Sequence, residues 1–253
     1  EFTIGNQAPV ANDDTNHTDA LSFASGNVLS DGLADSDPDG DVLRVTAVND
    51  NAALVGESVS LSSGAIVTLN SDGTYTYDPN GIFDSLIPAE TESDSFSYTI
   101  TDGYGATDSA TVTVTVTGVD DPVIANTDAT VVHQGATVSG NVLSNDSGVD
   151  GGLAVSEVTG GSLGIALVGD YGELTLLEDG SFSYVASATA STGSVDKFTY
   201  TLTDRDGSTA TAQLEFTIGN QAPVANDDTN HTDALSFASG NVLSDGLADS
   251  DPD

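Results

Sequence analysis

Apolar and polar residues alternate along several long stretches of the chain. In SATVTVTVTG, residues 109–118, every second residue is apolar and the threonines between them face the other way. Residues 95–100, 198–202 and 214–218 show the same alternation, with Phe, Tyr, Ile and Leu on one face. A period of two is typical of a β-strand with one buried face, and the many β-branched residues favour the same conformation. These segments predict strands, and no segment predicts a capped helix of useful length.

Turn sequences separate the predicted strands, with SDG at 71–73, TDGYG at 101–105, EDG at 178–180 and DRDG at 204–207. Short strands at regular spacing with such turns favour an antiparallel β-sandwich of about seven strands in about 100 residues. The core Cys and Trp residues of antibody domains are absent from this chain. We therefore predict an all-β chain of Greek-key, immunoglobulin-like sandwiches.

The chain repeats itself at two levels. Residues 1–39 recur without change at 215–253, an offset of 215 − 1 = 214 residues. Within this unit, SGNVLS at 25–30 returns at 139–144. Such repeats indicate tandem domains arranged end to end, and we expect the array to be longer than this chain. The predicted boundaries are 1–5 for the last strand of a preceding repeat, 6–119 and 120–219 for two sandwiches, and 220–253 for the truncated start of a further copy.

Composition narrows the possible partners. Forty acidic residues against three basic ones give a formal net charge of -37. Such a surface repels phosphate backbones and anionic lipid, so we expect no nucleic-acid partner and no binding to membrane surfaces. No apolar run approaches the ~18 residues that a membrane span needs, so we expect no direct membrane insertion. Cations or basic proteins are the natural counter-partners. A solvated acidic surface is the alternative, but the acids cluster at turns. Because the chain has no cysteine, a bound metal is one candidate for extra stabilisation.

The most acidic stretch is DSDPDGD at 35–41, which has the D-x-D-x-D-G spacing of calcium loops. Ca²⁺ takes six to eight oxygen ligands, and alternate residues of a tight loop can supply them. The twelfth position of an EF-hand loop would be Thr46 rather than glutamate, so the spacing indicates a calcium loop but not an EF-hand. An Asp- and Gly-rich β-turn without metal stays open as the alternative. The candidate ligands are Asp35, Asp37, Asp39 and Asp41.

Further acids lie at the predicted domain junctions and in the last hairpin of each domain. They are Asp13, Asp14, Asp102, Asp108, Asp120, Asp121, Asp204 and Asp206. Carboxylates from both sides of a junction could share Ca²⁺ and fix the hinge angle, and a soluble acidic linker is the alternative. In the second domain, NDSGVDGG at 145–152 aligns with the 35–41 loop but retains only Asp146 and Asp150 at a different spacing.

No constellation of residues indicates catalysis. The chain contains no nucleophile elbow, His-containing triad, phosphate-binding loop or zinc site. His17 and His231 are one position in two copies, and we interpret them as surface residues. Glycosidase sites usually have aromatic walls, and this chain has no Trp. We therefore predict that the chain is not an enzyme.

Taken together, four segments resemble the VCBS and cadherin-like tandem repeats of giant bacterial surface adhesins of the RTX (repeats-in-toxin) type. They are NQAPVANDD, SGNVLSDGLADSDPDGDVLRVTAV, SDGTYTYDPNG and DSFSYTITDGYGATDSATVTVTVTG. The resemblance covers nearly all of residues 6–119 and, more loosely, 120–219. It implies an immunoglobulin-like sandwich, type I export, a role as an extender, and Ca²⁺ near domain joints. By position, it places Ca²⁺ at Asp35, Asp37, Asp39 and Asp41 and at Asp120 and Asp121. The linker at 219–223 lacks the paired acids.

The leading hypothesis is therefore a stalk segment of a secreted, calcium-stiffened bacterial surface adhesin or biofilm fibre. Two alternatives stay open. One is a subunit of an extracellular matrix filament in which identical chains join by strand addition. The other is a module that binds glycans or other copies of itself. We expect neighbouring repeats of the same chain as partners, and a location at the bacterial cell surface or in an extracellular matrix.

Overall fold

The computed structural model describes residues 5–220, 225–244 and 249–250. Contacts divide the chain into two compact units, Glu1–Pro122 with Val149–Gly151, and Val123–Gly148 with Gly152–Asp253. Nearly all regular structure is β, which confirms the predicted fold class. The predicted strand at 1–5 falls outside the described residues except for Gly5, which has no regular structure. In residues 225–244 the structure has no strand. No helix among the described residues is long and apolar enough to cross a membrane.

Eight strands of the first unit form two four-stranded sheets. They are β1 (Asp14–Asp19), β2 (Ala24–Asn27), β3 (Arg44–Val48), β4 (Ser58–Ser60), β5 (Ile66–Leu69), β6 (Thr74–Asp78), β7 (Thr91–Thr101) and β8 (Thr107–Thr117). One sheet has the order β1-β8-β7-β3 and the other β2-β6-β5-β4. All pairs are antiparallel except β1 with β8, in which Asp14 lies opposite Val112. The next strand, β2, belongs to the opposite sheet, and β1 lies beside β8, the last strand, and runs in the same direction.

The second unit repeats this topology. Its strands are β9 (Asp128–His133), β10 (Thr137–Asn141), β11 (Ala154–Val158), β12 (Leu167–Val168), β13 (Gly172–Leu176), β14 (Ser181–Ala186), β15 (Val195–Thr203) and β16 (Thr209–Gly219). The sheets have the orders β11-β15-β16-β9 and β10-β14-β13-β12, and β9 is parallel to β16. Single turns of 3-10 helix occur at Ala52–Leu54 and Val142–Ser144. The two predicted repeats thus share one strand order.

Alternate residues of the long strands build the core of each unit. In β8, Val112, Val114 and Val116 are fully buried, as the alternation of apolar residues predicted. In the second unit, Phe216 stacks on Tyr184 with ring centroids 3.9 Å apart. Burial of these side chains from water is the main force that holds the two sheets together.

Buried tyrosine hydroxyls also join the two sheets of each unit. The Tyr77 hydroxyl on β6 donates to Asp94 Oδ2 on β7 over 3.0 Å. In the second unit, the Tyr184 hydroxyl on β14 donates to Asp196 Oδ2 on β15 over 2.9 Å. Both aspartates are buried, so each hydroxyl helps to satisfy a carboxylate that has little access to water.

Candidate metal sites

The loop between β2 and β3 brings three carboxylates together in the first unit. Asp37, Asp39 and Asp41 each offer one oxygen atom, and these oxygens lie within 4.8 Å of one another. The loop turns at Gly40, whose φ of 81° favours glycine. Within the turn, Asp37 Oδ1 accepts hydrogen bonds from the backbone N–H groups of Asp39 (2.7 Å) and Asp41 (3.3 Å). The turn therefore gathers the three carboxylates into one cluster, which we call the loop cluster.

The three carboxylates of the loop cluster differ in their surroundings. Asp37 Oδ2 is buried and has no hydrogen-bond partner among the described residues. The backbone N–H (2.7 Å) and Nε2 (3.0 Å) of Gln7 donate to Asp39 and lower its pKa. Loss of hydration raises the pKa of Asp41, and the neighbouring charges of Asp37 and Asp39 raise it further. Crowded negative charge beside an unpartnered oxygen favours the binding of a cation.

The turn between β7 and β8 lies beside the loop cluster. Asp102 Oδ1 accepts hydrogen bonds from the backbone N–H groups of residues 104–106, and Asn6 Nδ2 donates to Asp102 Oδ2 over 2.6 Å. The Asn6 amide and these N–H groups lower the pKa of Asp102. The charge of Asp102 in turn acts on Asp39 and Asp41. Asp102 therefore closes its own turn and adds negative charge next to the cluster.

The donor atoms of the loop cluster are all oxygens. Ca²⁺ binds carboxylate, carbonyl and amide oxygens at about 2.3–2.6 Å, whereas zinc and copper favour sites with nitrogen or sulfur ligands. The unpartnered Asp37 Oδ2 is an oxygen that a cation would satisfy. The residues present therefore fit Ca²⁺.

Asp35 is not part of the loop cluster, although the spacing grouped it with the other three aspartates. Its Oδ1 accepts a hydrogen bond from the Asn12 N–H (2.7 Å), and the Tyr98 hydroxyl lies 3.1 Å from its Oδ2. The same hydroxyl lies 2.9 Å from the Asn12 carbonyl oxygen. Burial raises the pKa of Asp35. These donors hold Asp35 next to the residues that precede β1.

Asp13 and Asp108, two of the predicted junction and hairpin ligands, bind backbone N–H groups. Asp13 Oδ1 accepts from the Thr111 N–H over 2.9 Å, and Asp108 Oδ2 accepts from the Ala11 N–H over 2.8 Å. The two bonds connect the segment around the start of β1 with β8. Their observed contacts are therefore structural.

Asp14 points the other way from Asp13. It is 2 % exposed, and no donor of the described residues lies at ordinary hydrogen-bond distance from its carboxylate oxygens, the Tyr98 hydroxyl being the donor that faces them. Burial raises its pKa to about 6, with further contributions from the charges of Asp35 and Asp31. The Tyr98 hydroxyl has a smaller opposing effect. Asp31 belongs to none of the candidate sites that the sequence predicts, because nothing in its spacing connects it with Asp14.

The predicted linker ligands Asp120 and Asp121 lie in a second acidic group of the first unit. Carboxylate oxygens of Asp120 and Asp150 come within 4.8 Å of each other, and the Asp121 N–H donates to Asp150 Oδ2 over 3.1 Å. Asp150 is 1 % exposed. One oxygen each of Asp84, Asp121 and Asp150 is buried without a hydrogen-bond partner. Burial raises the pKa of Asp121, followed by the charges of Asp150, Asp84 and Asp120. We call these four residues the linker cluster.

The sequence predicted two members of the linker cluster, Asp120 and Asp121, as metal ligands, but not the other two. Asp150 was visible as a retained acid of the 145–152 loop, but nothing in the sequence connected it with residues 120–121. Asp84 carried no signal, because it lies outside every repeated acidic motif.

Asp204 and Asp206 form part of the turn between β15 and β16 in the second unit. Asp204 Oδ1 accepts from the N–H groups of Gly207 (3.1 Å) and Ser208 (2.9 Å), and Asp206 Oδ1 accepts from Ser208 N–H (2.8 Å). Burial and the nearby Asp206 raise the pKa of Asp204, whose Oδ2 is buried without a hydrogen-bond partner. The pair thus closes its turn, as Asp102 does in the first unit.

A family model matches both tandem domains, and several known proteins are similar to the chain. Residues 6–118 and 119–219 each match the family model described as "Bacterial cadherin-like domain". The calcium-binding lectin RapA2 of Rhizobium johnstonii is 28% identical over 233 residues, which are 82% of this chain and 94% of the relative. Drosophila N-cadherin EC1-4 is 14% identical with a TM-score of 0.41, over 84% of this chain and 50% of that chain. An endo-fucoidan hydrolase of glycoside hydrolase family 107 is 17% identical with a TM-score of 0.31, over 83% of this chain and 28% of that chain. The chain thus spans half or less of these two solved structures.

Proposed function

The chain belongs to the bacterial cadherin-like domain family, and we propose that it is a Ca²⁺-stiffened stalk segment of a secreted bacterial surface adhesin or biofilm fibre. In this role the tandem sandwiches provide length, and Ca²⁺ ions at the ends of a domain limit bending between neighbours. No catalytic step is part of the proposal.

The observation that carries this proposal is the position of the two acidic clusters in the first unit. The loop cluster lies beside the turn that precedes β8, and the linker cluster includes residues 120–121 that follow β8. An 11-residue strand such as β8 is roughly 36 Å long at about 3.3 Å per residue. Each end of the hairpin therefore has its own group of carboxylates, where the chain enters and leaves the domain.

The charge of the chain supports the same role. With a formal net charge of -37, a tandem array repels itself along its length. Ca²⁺ bound at the domain ends would neutralise part of this charge where two repeats meet. Removal of Ca²⁺ should then restore both the repulsion and the freedom to bend.

The first experiment measures binding by calorimetric Ca²⁺ titration of the 253-residue chain. The triple variant D37N/D39N/D41N should lose the Ca²⁺ of the loop cluster. The control variant E57Q/E173Q/E178Q removes the same amount of charge from exposed positions and should bind as the parent chain does. Equal Ca²⁺ binding by both variants would contradict a site at the loop cluster.

The second experiment measures stiffness by small-angle X-ray scattering, with Ca²⁺ and in Ca²⁺-free buffer. We expect a narrower distribution of dimensions with Ca²⁺, and we expect D120N/D121N to abolish the difference. If the scattering profile of the parent chain does not respond to Ca²⁺, the stiffening role is wrong even where binding is detected.

A second candidate function is glycan binding, which the name of the RapA2 relative favours. A glycan array probed with the whole chain, with and without Ca²⁺, distinguishes a lectin from a passive spacer. Assembly into a filament by strand addition stays a prediction, and a native mass measurement that finds only monomers would remove it.

A further inference from the structure

Two short segments, residues 6–12 and 120–126, correspond in sequence and in structure. They read NQAPVAN and DDPVIAN, so both end in Ala-Asn, but the first begins with two amides and the second with two carboxylates. In each segment the final asparagine donates its backbone N–H to an aspartate of the loop after the second strand of its repeat, over 2.7 Å to Asp35 and over 2.6 Å to Asp146. We call residues 6–12 the amide segment and residues 120–126 the acidic segment.

A second backbone hydrogen bond recurs near the start of both segments. The Gln7 N–H donates to Asp39 Oδ2 over 2.7 Å, and the Asp121 N–H donates to Asp150 Oδ2 over 3.1 Å. Asp39 and Asp150 each come four residues after the aspartate that binds the final asparagine. Gln7 and Asp121 are therefore equivalent positions, and the two segments differ in what the side chain provides there.

The amide segment compensates its neighbouring carboxylates with its own side chains. Gln7 Nε2 donates to Asp39 Oδ1 over 3.0 Å, so both oxygens of that carboxylate have a donor. Asn6 Nδ2 donates to Asp102 Oδ2 over 2.6 Å, and Asp102 is 3 % exposed. Hydrogen bonds to an ionised carboxylate are among the stronger ones in proteins. Two carboxylates are thus satisfied here without a cation.

The acidic segment leaves the equivalent oxygens without a donor. Asp121 has a carboxylate where Gln7 has an amide, and one oxygen each of Asp121 and Asp150 is buried without a hydrogen-bond partner among the described residues. Asp150 is 1 % exposed, and its carboxylate lies within 4.8 Å of that of Asp120. Ionised carboxylates in such positions are unfavourable unless a cation compensates their charge.

The turns before the last strand of each repeat show the same contrast. Asp102 and Asp204 are the second residues of TDGYG and TDRDG, and both close their turns through Oδ1. Asp102 Oδ2 accepts the Asn6 amide. Asp204 Oδ2 is buried without a donor among the described residues, since its neighbour Asp206 is itself a carboxylate. An amide donor in the first repeat thus coincides with an unpartnered oxygen at the equivalent position of the second.

We propose that Asn6 and Gln7 form an amide clamp that fastens the start of the first repeat without Ca²⁺, whereas Asp120 and Asp121 need Ca²⁺ at the equivalent positions. The residue types at these two positions then determine whether the start of a domain depends on the cation. The clamp does not supply a donor to Asp37 Oδ2, so it is compatible with Ca²⁺ at the loop cluster. The Ca²⁺ requirement rests on the proposed function, but the clamp does not.

The repeat at 215–253 contains the sequence of the amide segment again. Asn220 and Gln221 repeat Asn6 and Gln7, so the order of the three segments along the chain is amide, acidic, amide. We therefore expect Ca²⁺-dependent and Ca²⁺-independent domain starts to alternate along an array of such repeats. Removal of Ca²⁺ would then loosen every second domain start rather than all of them.

The first measurement is hydrogen exchange of single backbone amides in the 253-residue chain, followed by NMR. The Gln7 N–H should already be protected in Ca²⁺-free buffer. The Asp121 N–H should gain about tenfold protection at a Ca²⁺ concentration about ten times the Kd, because a bound ion shifts the opening equilibrium by that factor. A Gln7 N–H that exchanges freely without Ca²⁺ would refute the clamp.

Exchanging the two side chains gives the sharper test. In Ca²⁺-free buffer, Q7D should lower the protection factor of the residue 7 N–H about tenfold, because an amide donor is lost and a carboxylate faces Asp39 instead. D121Q should raise the protection factor of the residue 121 N–H by a similar amount, and calorimetry should count one Ca²⁺ fewer than in the parent chain. The controls Q213D and E57Q change the charge by the same amount at exposed positions and should leave both amides unchanged.

The clamp and the Ca²⁺ requirement can fail separately. If Q7D keeps the protection of the parent chain without Ca²⁺, the clamp is refuted whatever happens at the acidic segment. An Asp121 N–H that is protected equally with and without Ca²⁺ would overturn the Ca²⁺ requirement, and with it the role of the linker cluster in the proposed function, but not the clamp. If D121Q binds as many Ca²⁺ ions as the parent chain, an amide does not replace the cation and the proposal is wrong.

Discussion

Replacing Asp14 with asparagine should stabilise the first domain in Ca²⁺-free buffer near pH 7. The pKa of Asp14 is raised from 3.8 to about 6 in the folded chain. An aspartate in an unfolded chain titrates near 3.9, so the difference is about two pKa units, or about 3 kcal/mol at about 1.4 kcal/mol per unit. Asparagine has nearly the same shape and no charge. D14N should therefore raise the free energy of unfolding by up to about 3 kcal/mol at pH 7. The gain is smaller if the parent site relaxes and thereby lowers the cost of the buried charge.

The sign of the pH dependence follows from which state binds the proton more tightly. Because the folded-state pKa of Asp14 is higher than its unfolded value, its contribution to stability falls as the pH rises from about 4 to about 6. D14N has no carboxylate at this position, so its stability does not fall for this reason as the pH rises. The stability difference between D14N and the parent chain should therefore grow by up to about 3 kcal/mol between pH 4 and pH 7.

The assay is denaturant unfolding at several pH values in resin-treated buffer, followed through the amide signals of Val112 and Val114 in β8. Both residues are fully buried, so their signals report the core of the first domain. D13N serves as the control, and its difference from the parent chain should not follow the same curve. A difference between D14N and the parent chain that is independent of pH would refute the reasoning.

Two further substitutions test the fold. Tyr184→Phe removes the hydroxyl donor of buried Asp196 and should cost about 1–3 kcal/mol in denaturant unfolding, whereas Tyr104→Phe at an exposed position should cost almost nothing. Gly73→Ala and Gly103→Ala both place a Cβ at positive φ, but only at Gly73 would it lie within 2.4 Å of a neighbouring side chain. Both should destabilise by about 1 kcal/mol or more, with the larger loss of thermal stability at Gly73. Equal losses would show that the steric contact does not matter.

The strand pattern of the fold could be read from the sequence because it depends on local alternation. The apolar residues of 109–118 point to one face whatever strand lies beside them, and the structure buries that face. The parallel pairing of β1 with β8 was not foreseen, because it depends on the chain crossing between sheets after Asp19. The buried bonds of Tyr77 and Tyr184 were missed for a related reason. Their partners lie on the opposite sheet, and the alternation of apolar and polar residues does not indicate which acceptor a buried hydroxyl binds.

The candidate sites were predictable only where the ligands are close in sequence. Asp37, Asp39 and Asp41 come together because one turn carries all three. Asp35 has the same spacing, but the Asn12 N–H and the Tyr98 hydroxyl bind it elsewhere. Asp84 and Asp150 join the linker residues from segments far away in the chain, and their contribution depends on tertiary packing.

The surroundings of the aspartates separate those that need a cation from those that do not. Asp13 and Asp108 bind backbone N–H groups, and monovalent salt alone would screen their charge. Asp94 is buried but is compensated by a tyrosine hydroxyl. Asp37 and the linker-cluster residues Asp84, Asp121 and Asp150 are different, because each has a buried oxygen without a hydrogen-bond partner among the described residues. Screening by salt acts weakly on buried charge, so a bound ion is the direct way to satisfy these oxygens. The high net charge alone therefore does not locate a metal site, and we expect Ca²⁺ at the carboxylates whose buried oxygens have no hydrogen-bond partner.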